Sequence, residues 1–390
     1  MGKRTRQQPT VVTAITSSDS ASLIKGQLNY LREHDLVPIL VSSPGDSVTK
    51  LARGEGVELI EISMKRDPSP LHDLISLFRL VTVFLRLKPD IVNAGTPKAG
   101  LLCMLASFIC RVPARIYTIR GFRHESMEGR ARRLMLFMER ISCHLSSHIV
   151  CISPSVESLG IKEGLFPPSK CHVNGLGSSN GIDLKRFSPE RVDLTQRSEL
   201  RKSLSIKDND IVIGFIGRII ARKGVDELVE AFIRLKTLQP ACKLVLIGPI
   251  ESSQPVSDST LARIHEDNDI HYLGRIEDVV HYYPMMDLFV LPAHWEGFGN
   301  VLLEAAAMNI PVVAFDATGT RDAVANGVNG TLVPLMDKKA LFNTLLRYVE
   351  DAELREHHGR NGRPWASNFR NSLIWEELLR FYQSLIKTPP

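Results

Sequence analysis

Two glutamates, Glu296 and Glu304, stand with seven residues between them in HWEGFGNVLLEAAAMNIPVV, directly after the apolar run LFVLP. Strand, turn and helix in that order place the turn at a strand's carboxyl end. Gly297 and Gly299 let backbone approach a ligand, and the amides from Gly297 through Phe298 and Gly299 to Asn300 can donate to hydroxyl or phosphate oxygens at the helix start. A carboxylate accepts two hydroxyl hydrogen bonds at once, which suits Glu304 to a ribose diol and Glu296 to sugar hydroxyls. The plainer alternative makes Asn300 an N-cap and Glu304 a first-turn residue favoured by the helix dipole, worth roughly 0.3 to 1 kcal/mol. It leaves Glu296 and the glycines unexplained.

A second group lies in IVIGFIGRIIARKGVDELVEAF, where Arg218 closes a strand and Lys223 stands before a helix starting near Val225. Two cations at a strand-to-helix junction make a clamp for a diphosphate. Charge-assisted hydrogen bonds of about 1.5 to 3 kcal/mol each would hold such a leaving group and offset its growing charge. A solvated basic loop is the alternative, and the fit with the glutamate motif weighs against it.

Other signals carry less. GLGSSNG, residues 175–181, lacks the GxGxxG spacing and does not follow the first strand, so a dehydrogenase is a poor reading. The DND triplets at 208–210 and 267–269 invite a metal-binding reading, but each immediately precedes a strand and turn chemistry explains it better. No HExxH and no zinc-type cluster of cysteine and histidine occurs in the sequence, and no metal is expected. Cys103, Cys110, Cys143, Cys151, Cys171 and Cys242 form no CxxC pair and read as reduced thiols of a cytosolic protein.

The elements that must carry these groups follow a βαβ rhythm. VVTAITS, a helix through SLIKGQLNYLREH, PILVSS, a helix, and VELIEIS open it, and DIVNAGT, RIYTIR, HIVCIS and KCHVNG continue it. A polar stretch over 188–210 interrupts, and IVIGFIGR, CKLVLIGP, IHYLG, LFVLP and PVVAFDA restart the pattern. This is an α/β chain of two doubly wound, Rossmann-like halves: residues 1–190, residues 191–370, and a terminal helix over 371–390 expected to pack back toward the first half. The helix shows Leu373, Ile374, Leu378, Leu379, Tyr382 and Leu385 at helical spacing. Doubly wound sheets bind ligands beyond the carboxyl ends of their strands, where the motifs above fall.

At 390 residues and 44% hydrophobic, the chain exceeds what one core usually holds, and with 23% charged residues it should fold throughout. The start, MGKRTRQQPTVVTAITSS, has no apolar stretch long enough for a signal peptide, and the run from Ala99 to Cys110 is too short to span a bilayer. The first 190 residues carry 25 Lys and Arg against 17 Asp and Glu, a charge of +8, whereas the remainder carries 23 against 26, a charge of −3. The basic half could face nucleic acid, anionic lipid or a phosphorylated substrate, or be an ordinary uneven surface. Within it, GRARRLMLFMERISCHL joins Arg130, Arg132, Arg133 and Arg140 to Leu134, Met135, Phe137, Met138 and Ile141. That pattern reads as a basic amphipathic helix able to lie on an anionic bilayer, or else as a core helix with a basic solvent side.

Arg218 with Lys223, the EGFGNVLLE segment, PVVAFDATGTRDAV, NGVNGTLV and GSSNGIDLKRF together resemble glycosyltransferase family 4. The resemblance is nearly continuous in the second half and weaker in the first. SLIKGQLNYLREHDLVPILVSSPG and RIYTIRGFRHESMEGRARRL are similar to the branch that builds bacterial capsular, exopolysaccharide and lipid-linked glycans. The resemblance implies a GT-B fold with two Rossmann-like domains facing a cleft, a nucleotide sugar on the second domain and an acceptor on the first. It implies retention of anomeric configuration, with no cofactor and no metal. By matched position Arg218 and Lys223 would bind the diphosphate, Glu304 the ribose, Glu296 with the 297–300 amides the sugar, and backbone near Arg275 and Ile276 the base. Asn180 and Asp183 match a recurrent motif near the cleft. Many members carry a histidine after the strand corresponding to RIYTIR; here Arg120 precedes Gly121, and either Arg120 or His124 could serve in its place. Arg120 could hold an acceptor phosphate or the sugar by a bidentate contact, whereas a lone loop histidine such as His124 is commonly solvated.

The expected enzyme is thus a retaining hexosyl- or N-acetylhexosaminyltransferase. A nucleotide-sugar donor, with UDP the favoured base, and a lipid-linked or other saccharide acceptor are its expected partners. It would be cytoplasmic, with peripheral contact to anionic membrane and no nucleic-acid partner. Rival readings are a sugar-nucleotide epimerase of similar fold and a non-catalytic glycan-binding subunit. Intact Arg218, Lys223, Glu296 and Glu304 argue against the latter.

Overall fold

A computed structural model describes residues 8–65 and 69–387, so the basic start of the chain lies outside the described residues. The chain divides into two units, one running to Gly181 and including the segment from Asn371, the other Ile182–Arg370.

In the first unit seven strands are all parallel: β1 (Thr10–Ala14), β2 (Val37–Ser42), β3 (Glu58–Glu61), β4 (Ile91–Gly95), β5 (Ala114–Ile119), β6 (His148–Cys151) and β7 (Cys171–Val173). Their order is β3-β2-β1-β4-β5-β6-β7, so the winding reverses between β1 and β4. Helices on both faces explain why these strands read as apolar runs rather than as alternation. One face packs α3 (Pro70–Leu87), α4 (Pro97–Ile109), α5 (Gly129–Leu145) and α6 (Pro154–Lys162) against Val12, Val92, Tyr117 and Ile149. The other carries α1 (Gln27–Glu33), α2 (Asp46–Glu55) and the terminal helix Asn371–Lys387, whose Leu378, Leu379 and Tyr382 pack with Val11, Ile91, Ile116 and Val150. Tyr382 also takes a hydrogen bond from Asn93 Nδ2 at 2.6 Å, which fixes the terminal helix on this sheet.

In the second unit six parallel strands stand in the order β10-β9-β8-β11-β12-β13. They are β8 (Ile211–Ile216), β9 (Cys242–Ile247), β10 (Ile270–Tyr272), β11 (Leu288–Leu291), β12 (Val312–Phe315) and β13 (Gly330–Val333). Its helices are α7 (Leu194–Ser203), α8 (Val225–Leu238), α9 (Asp258–Glu266), α10 (Asn300–Ala307), α11 (Thr320–Ala323), α12 (Lys338–Glu350) and α13 (Ala352–Ala366). The winding reverses between β8 and β11, and the segments after those two strands carry Arg218, Lys223 and Glu296.

Three expectations need correction. The boundary placed at residue 190 falls at Gly181, because Ile182 N–H donates to Phe369 O at 2.8 Å and Phe187 packs on Tyr283, which ties residues 182–190 to the second unit. The polar stretch 188–210 is no plain connector: it holds α7, and Arg201 is buried where it donates to the carbonyls of Met285, Lys207 and Asp210 at 3.0, 2.8 and 2.7 Å. The helix read through residues 22–34 is instead a 3-10 turn, Ser18–Ile24, and then α1, separated by Gly26 at φ 83. A side chain at Gly26 would strike Trp375 of the terminal helix.

The basic helix is real, but its faces differ from the expected split. α5 buries Met135, Leu136 and Glu139 and turns Leu134 and Phe137 outward among Arg130, Arg133 and Arg140, while Arg132 pairs with Glu163 at 2.6 Å. Helical spacing sets only which residues share a side, and Glu139 goes inward because Tyr117 O–H reaches it at 2.8 Å. Among the described residues no helix is long and apolar enough to cross a membrane.

Candidate active site

The second unit gathers most of the residues singled out from sequence. β8 ends at Ile216, and Arg218 follows it within two residues. The chain then makes a 3-10 turn, Ala221–Lys223, and enters α8 through Gly224, whose φ is 71. A Cβ there would lie 1.8 Å from the carbonyl oxygen of Pro292, so only glycine lets this turn press on the chain leaving β11. His294 N–H completes the join by donating to Arg222 O at 2.9 Å. This close approach brings Lys223 Nζ to Glu296 Oε1, from a residue 73 positions further along the chain. The two side chains are only 13% and 14% exposed. Burial pushes the Lys223 ammonium below its ordinary pKa, the Glu296 carboxylate pulls it up, and neighbouring Arg222 and Arg218 press it down.

Arg218 pairs with Glu251 Oε2 at 3.0 Å, both half-buried, and the Arg222 guanidinium lies over the Trp295 ring at 4.5 Å. His294 Nε2 stands 3.0 Å from Glu227 Oε1, on the first turn of α8. Glu304 faces Tyr283, whose hydroxyl donates to Glu304 Oε2 at 2.7 Å. Burial raises the Glu304 pKa, against the Tyr283 hydrogen bond and the Arg186 charge that lower it.

Around Glu296 the backbone does the shaping. Glu296 N–H donates to Thr318 O at 2.8 Å, and α10 starts one residue after Gly299, which serves as its N-cap at φ 85. Asn300 is therefore the first helical residue and not the cap. Phe298 points into the core, its ring 5.2 Å from that of Phe369, so at this position only the main chain is offered to a ligand. Arg275 and Ile276 follow β10, two strands from β8 in the sheet, with Arg275 exposed. The DND triplets are occupied locally: Asp210 accepts from Lys207 N at 2.8 Å, and Asp267 and Asp269 pair with Lys236 at 2.6 Å. Among the described residues no group of three or more His, Cys, Asp or Glu could hold a metal ion.

In the first unit Arg120 lies at the end of β5 against Gly95, where a Cβ would meet its Nε at 2.7 Å. Its Nε and Nη1 are buried with no hydrogen-bond partner, and burial lowers its pKa to about 10, so it stays charged at neutral pH. His124 is not solvated: it is 1% exposed, its ring packs on Phe122, and neither ring nitrogen has a hydrogen-bond partner. Burial lowers its pKa, which keeps the imidazole neutral at pH 7. Asn180 and Asp183 fall on opposite sides of the division between the units. Asn180 donates to Lys25 O at 2.8 Å and accepts from Trp375 Nε1 at 2.7 Å, while Asp183 accepts from the amides of Lys185 and Arg186 at 2.9 and 3.1 Å.

The family model for glycosyl transferases group 1 matches residues 196–365, and that for a glycosyl transferase 4-like domain matches residues 24–177. The capsular polysaccharide biosynthesis glycosyltransferase CapM of Staphylococcus aureus is 35% identical over 374 residues, 96% of each chain. The chain belongs to the family 4-like glycosyltransferases. A second relative, 28% identical over 294 residues and 74% of each chain, is the Escherichia coli UDP-Gal:alpha-D-GlcNAc-diphosphoundecaprenol alpha-1,3-galactosyltransferase. The solved structure of HepE of Anabaena with UDP and glucose superposes with a TM-score of 0.79 at 19% identity, over 96% of this chain and 100% of that one, and supports a GT-B fold.

In this glycosyltransferase the group 1 match contains Arg218, Lys223, Glu296 and Glu304, and also two residues that sequence reasoning missed. Glu251, in IESSQ, gave no signal beyond an acidic residue soon after a strand. Tyr283, in HYYPMMD, looks like a core aromatic and is one, fully buried; its hydroxyl alone gives it a role at Glu304.

Proposed function

We propose that this glycosyltransferase moves a hexosyl or N-acetylhexosaminyl group from UDP to a lipid-linked saccharide, retaining anomeric configuration and needing no metal. The observation that carries it is the gathering of Lys223, Arg218, Glu296 and Glu304 in one unit, at the carboxyl ends of adjacent strands and the helix that follows. The names of the two relatives, one acting in capsular polysaccharide biosynthesis and one a galactosyltransferase with UDP-Gal as donor and a GlcNAc-diphosphoundecaprenol as acceptor, support the donor and acceptor classes.

In this reading Glu304 accepts the ribose hydroxyls, with Tyr283 keeping the carboxylate aimed. Main chain at Arg275 and Ile276 meets the base. The diphosphate lies against Arg218 and Lys223, and as the sugar–phosphate bond breaks the two cations stabilise the charge growing on the leaving oxygen. Glu296 and the amides from Gly297 to Asn300 hold the sugar hydroxyls. The acceptor hydroxyl attacks the anomeric carbon from the face the diphosphate leaves, and its proton passes to a departing phosphate oxygen. An α-linked donor therefore gives an α-linked product. The chain's own contribution is positioning and leaving-group stabilisation. Arg120, cationic and with guanidinium hydrogens unused, suits an acceptor phosphate better than the neutral, core-packed His124 does. The outward Arg130, Arg133 and Arg140 of α5 would bring the enzyme to an anionic bilayer holding such an acceptor.

The test is a screen of radiolabelled UDP-, GDP- and ADP-sugars with and without membrane extract. Label should enter a lipid fraction from the UDP-sugar, with nucleoside diphosphate released only when extract is present. Conversion of one UDP-sugar into another without extract would instead mark an epimerase.

A further inference from the structure

α3 is apolar on two opposite sides. Its inner side, Ser76, Leu80 and Phe84, is buried on the sheet. Its outer side carries Leu71, Leu74, Ile75, Phe78 and Leu85, which are 82%, 64%, 54%, 72% and 59% exposed. The spacing i, i+3, i+4, i+7 and i+14 makes these one stripe along a helix of 18 residues, about 27 Å long. Thr82, on the same stripe, turns its hydroxyl back to Phe78 O at 2.9 Å. A contiguous apolar stripe of this kind on a folded domain marks a surface meant to be covered.

The charges beside the stripe say what covers it. Arg79 and Arg86, both exposed, run along one margin. The one acid on α3, Asp73, is taken by Lys98 at 2.6 Å. α4 packs against both α3 and α5, so α5 belongs to the same helical layer. There Arg130, Arg133 and Arg140 are exposed beside Leu134 and Phe137, and the only acid of α5, Glu139, is buried. A protein partner would be met by a rim offering acceptors as well as donors. Within α3 and α5 the exposed charged side chains are cations, with exposed Glu128 just before α5. Apolar side chains flanked by cations match an anionic lipid surface, where the first sink below the headgroups and the second stay among the phosphates.

We propose that α3 is the lipid-inserting element of this glycosyltransferase, lying in the plane of an anionic bilayer with Leu71, Leu74, Ile75 and Phe78 below the headgroups. α5 then supplies attraction and α3 supplies retention. This deepens, and rests on, the reading that the acceptor is lipid-linked, because it sets the enzyme where such an acceptor is presented.

The test uses the full chain carrying Leu74→Glu and Phe78→Glu, two exposed positions whose change leaves the core untouched. Cosedimentation is measured with phosphatidylcholine vesicles with and without phosphatidylglycerol, alongside light scattering, thermal melting and UDP binding. The proposal expects the unaltered chain to bind the anionic vesicles, and the variant to bind them about tenfold or more weakly with UDP binding and melting unchanged. It further expects vesicle-held acceptor to be glycosylated more slowly by the variant, and a short-chain water-soluble analogue at the normal rate. Undiminished binding of the variant to anionic vesicles overturns the role of α3 and leaves the lipid-linked acceptor standing. Loss of vesicle binding by the variant, combined with no transfer by the unaltered chain to any lipid-linked acceptor, keeps α3 and removes the acceptor reading. A dimer of the unaltered chain that the variant dissolves, without vesicle binding, would assign the stripe to a second copy and overturn the proposal.

Discussion

Replacing Lys223 by Met separates a diphosphate clamp from a structural ion pair. Lys223 and Glu296 are nearly buried together, so the methionine variant leaves a carboxylate without its partner, and breaking a buried pair this way costs about 3 to 5 kcal/mol of stability. A loss of Tm is therefore expected and decides nothing. Binding discriminates. One charge-assisted hydrogen bond to the diphosphate is worth about 1.5 to 3 kcal/mol, or about 10- to 150-fold in Kd, and uridine lacks that diphosphate. Calorimetric titration should show UDP weakened by this factor and uridine bound as before. Adding Glu296→Gln removes the orphaned charge and should restore most of the Tm without restoring UDP affinity. If UDP affinity returns with the Tm, or if uridine weakens as much as UDP, Lys223 acts through the fold and the clamp is wrong.

Tyr283→Phe should show the opposite pattern, because it takes one donor from Glu304 Oε2: uridine and UDP should weaken equally, by about 3- to 10-fold. Weakening of UDP with uridine unchanged would detach Glu304 from the ribose. Glu139 is held up to about 7 by burial, so in the folded protein it keeps its proton to higher pH than in the unfolded chain. Its contribution is thus fully present below about pH 4.5 and is lost as pH rises to about 7, up to roughly 3 kcal/mol. Glu139→Gln, still able to accept from Tyr117, should remove that slope, so urea unfolding at pH 5 and pH 8 should find the variant gaining on the unaltered chain as pH rises; parallel curves would place the titration elsewhere. Transfer should survive a chelator at full rate, since Arg218 and Lys223 supply the charge; a manganese requirement that no other salt meets would contradict this.

Much of this was legible because the strands are buried on both faces and announce themselves as apolar runs, from VVTA at β1 to VVAF at β12. Lys223 and Glu296 could be assigned to one site because each follows a strand, although their contact depends on the approach of Gly224 to Pro292, which no spacing reveals. Burial of polar groups was the blind spot. His124 read as a solvated loop residue and nothing in the sequence marked Arg201 or Glu139 for burial, yet all three are inside: Arg201 donates to backbone carbonyls, Met285 O among them, and Glu139 accepts from Tyr117 on β5. α3 was missed for the converse reason: apolar residues all round a helix suggest a core, and its exposed stripe is visible only once its neighbours are placed.

The central claim, retaining transfer from UDP to a lipid-linked saccharide, is tested most directly by the configuration of the new bond. Purified enzyme, a UDP-α-sugar and a short-chain lipid diphosphate saccharide would be incubated together and the product's anomeric proton coupling read by NMR. The account predicts one UDP released per product and an α bond. A β bond, or UDP release that needs no acceptor, would contradict it.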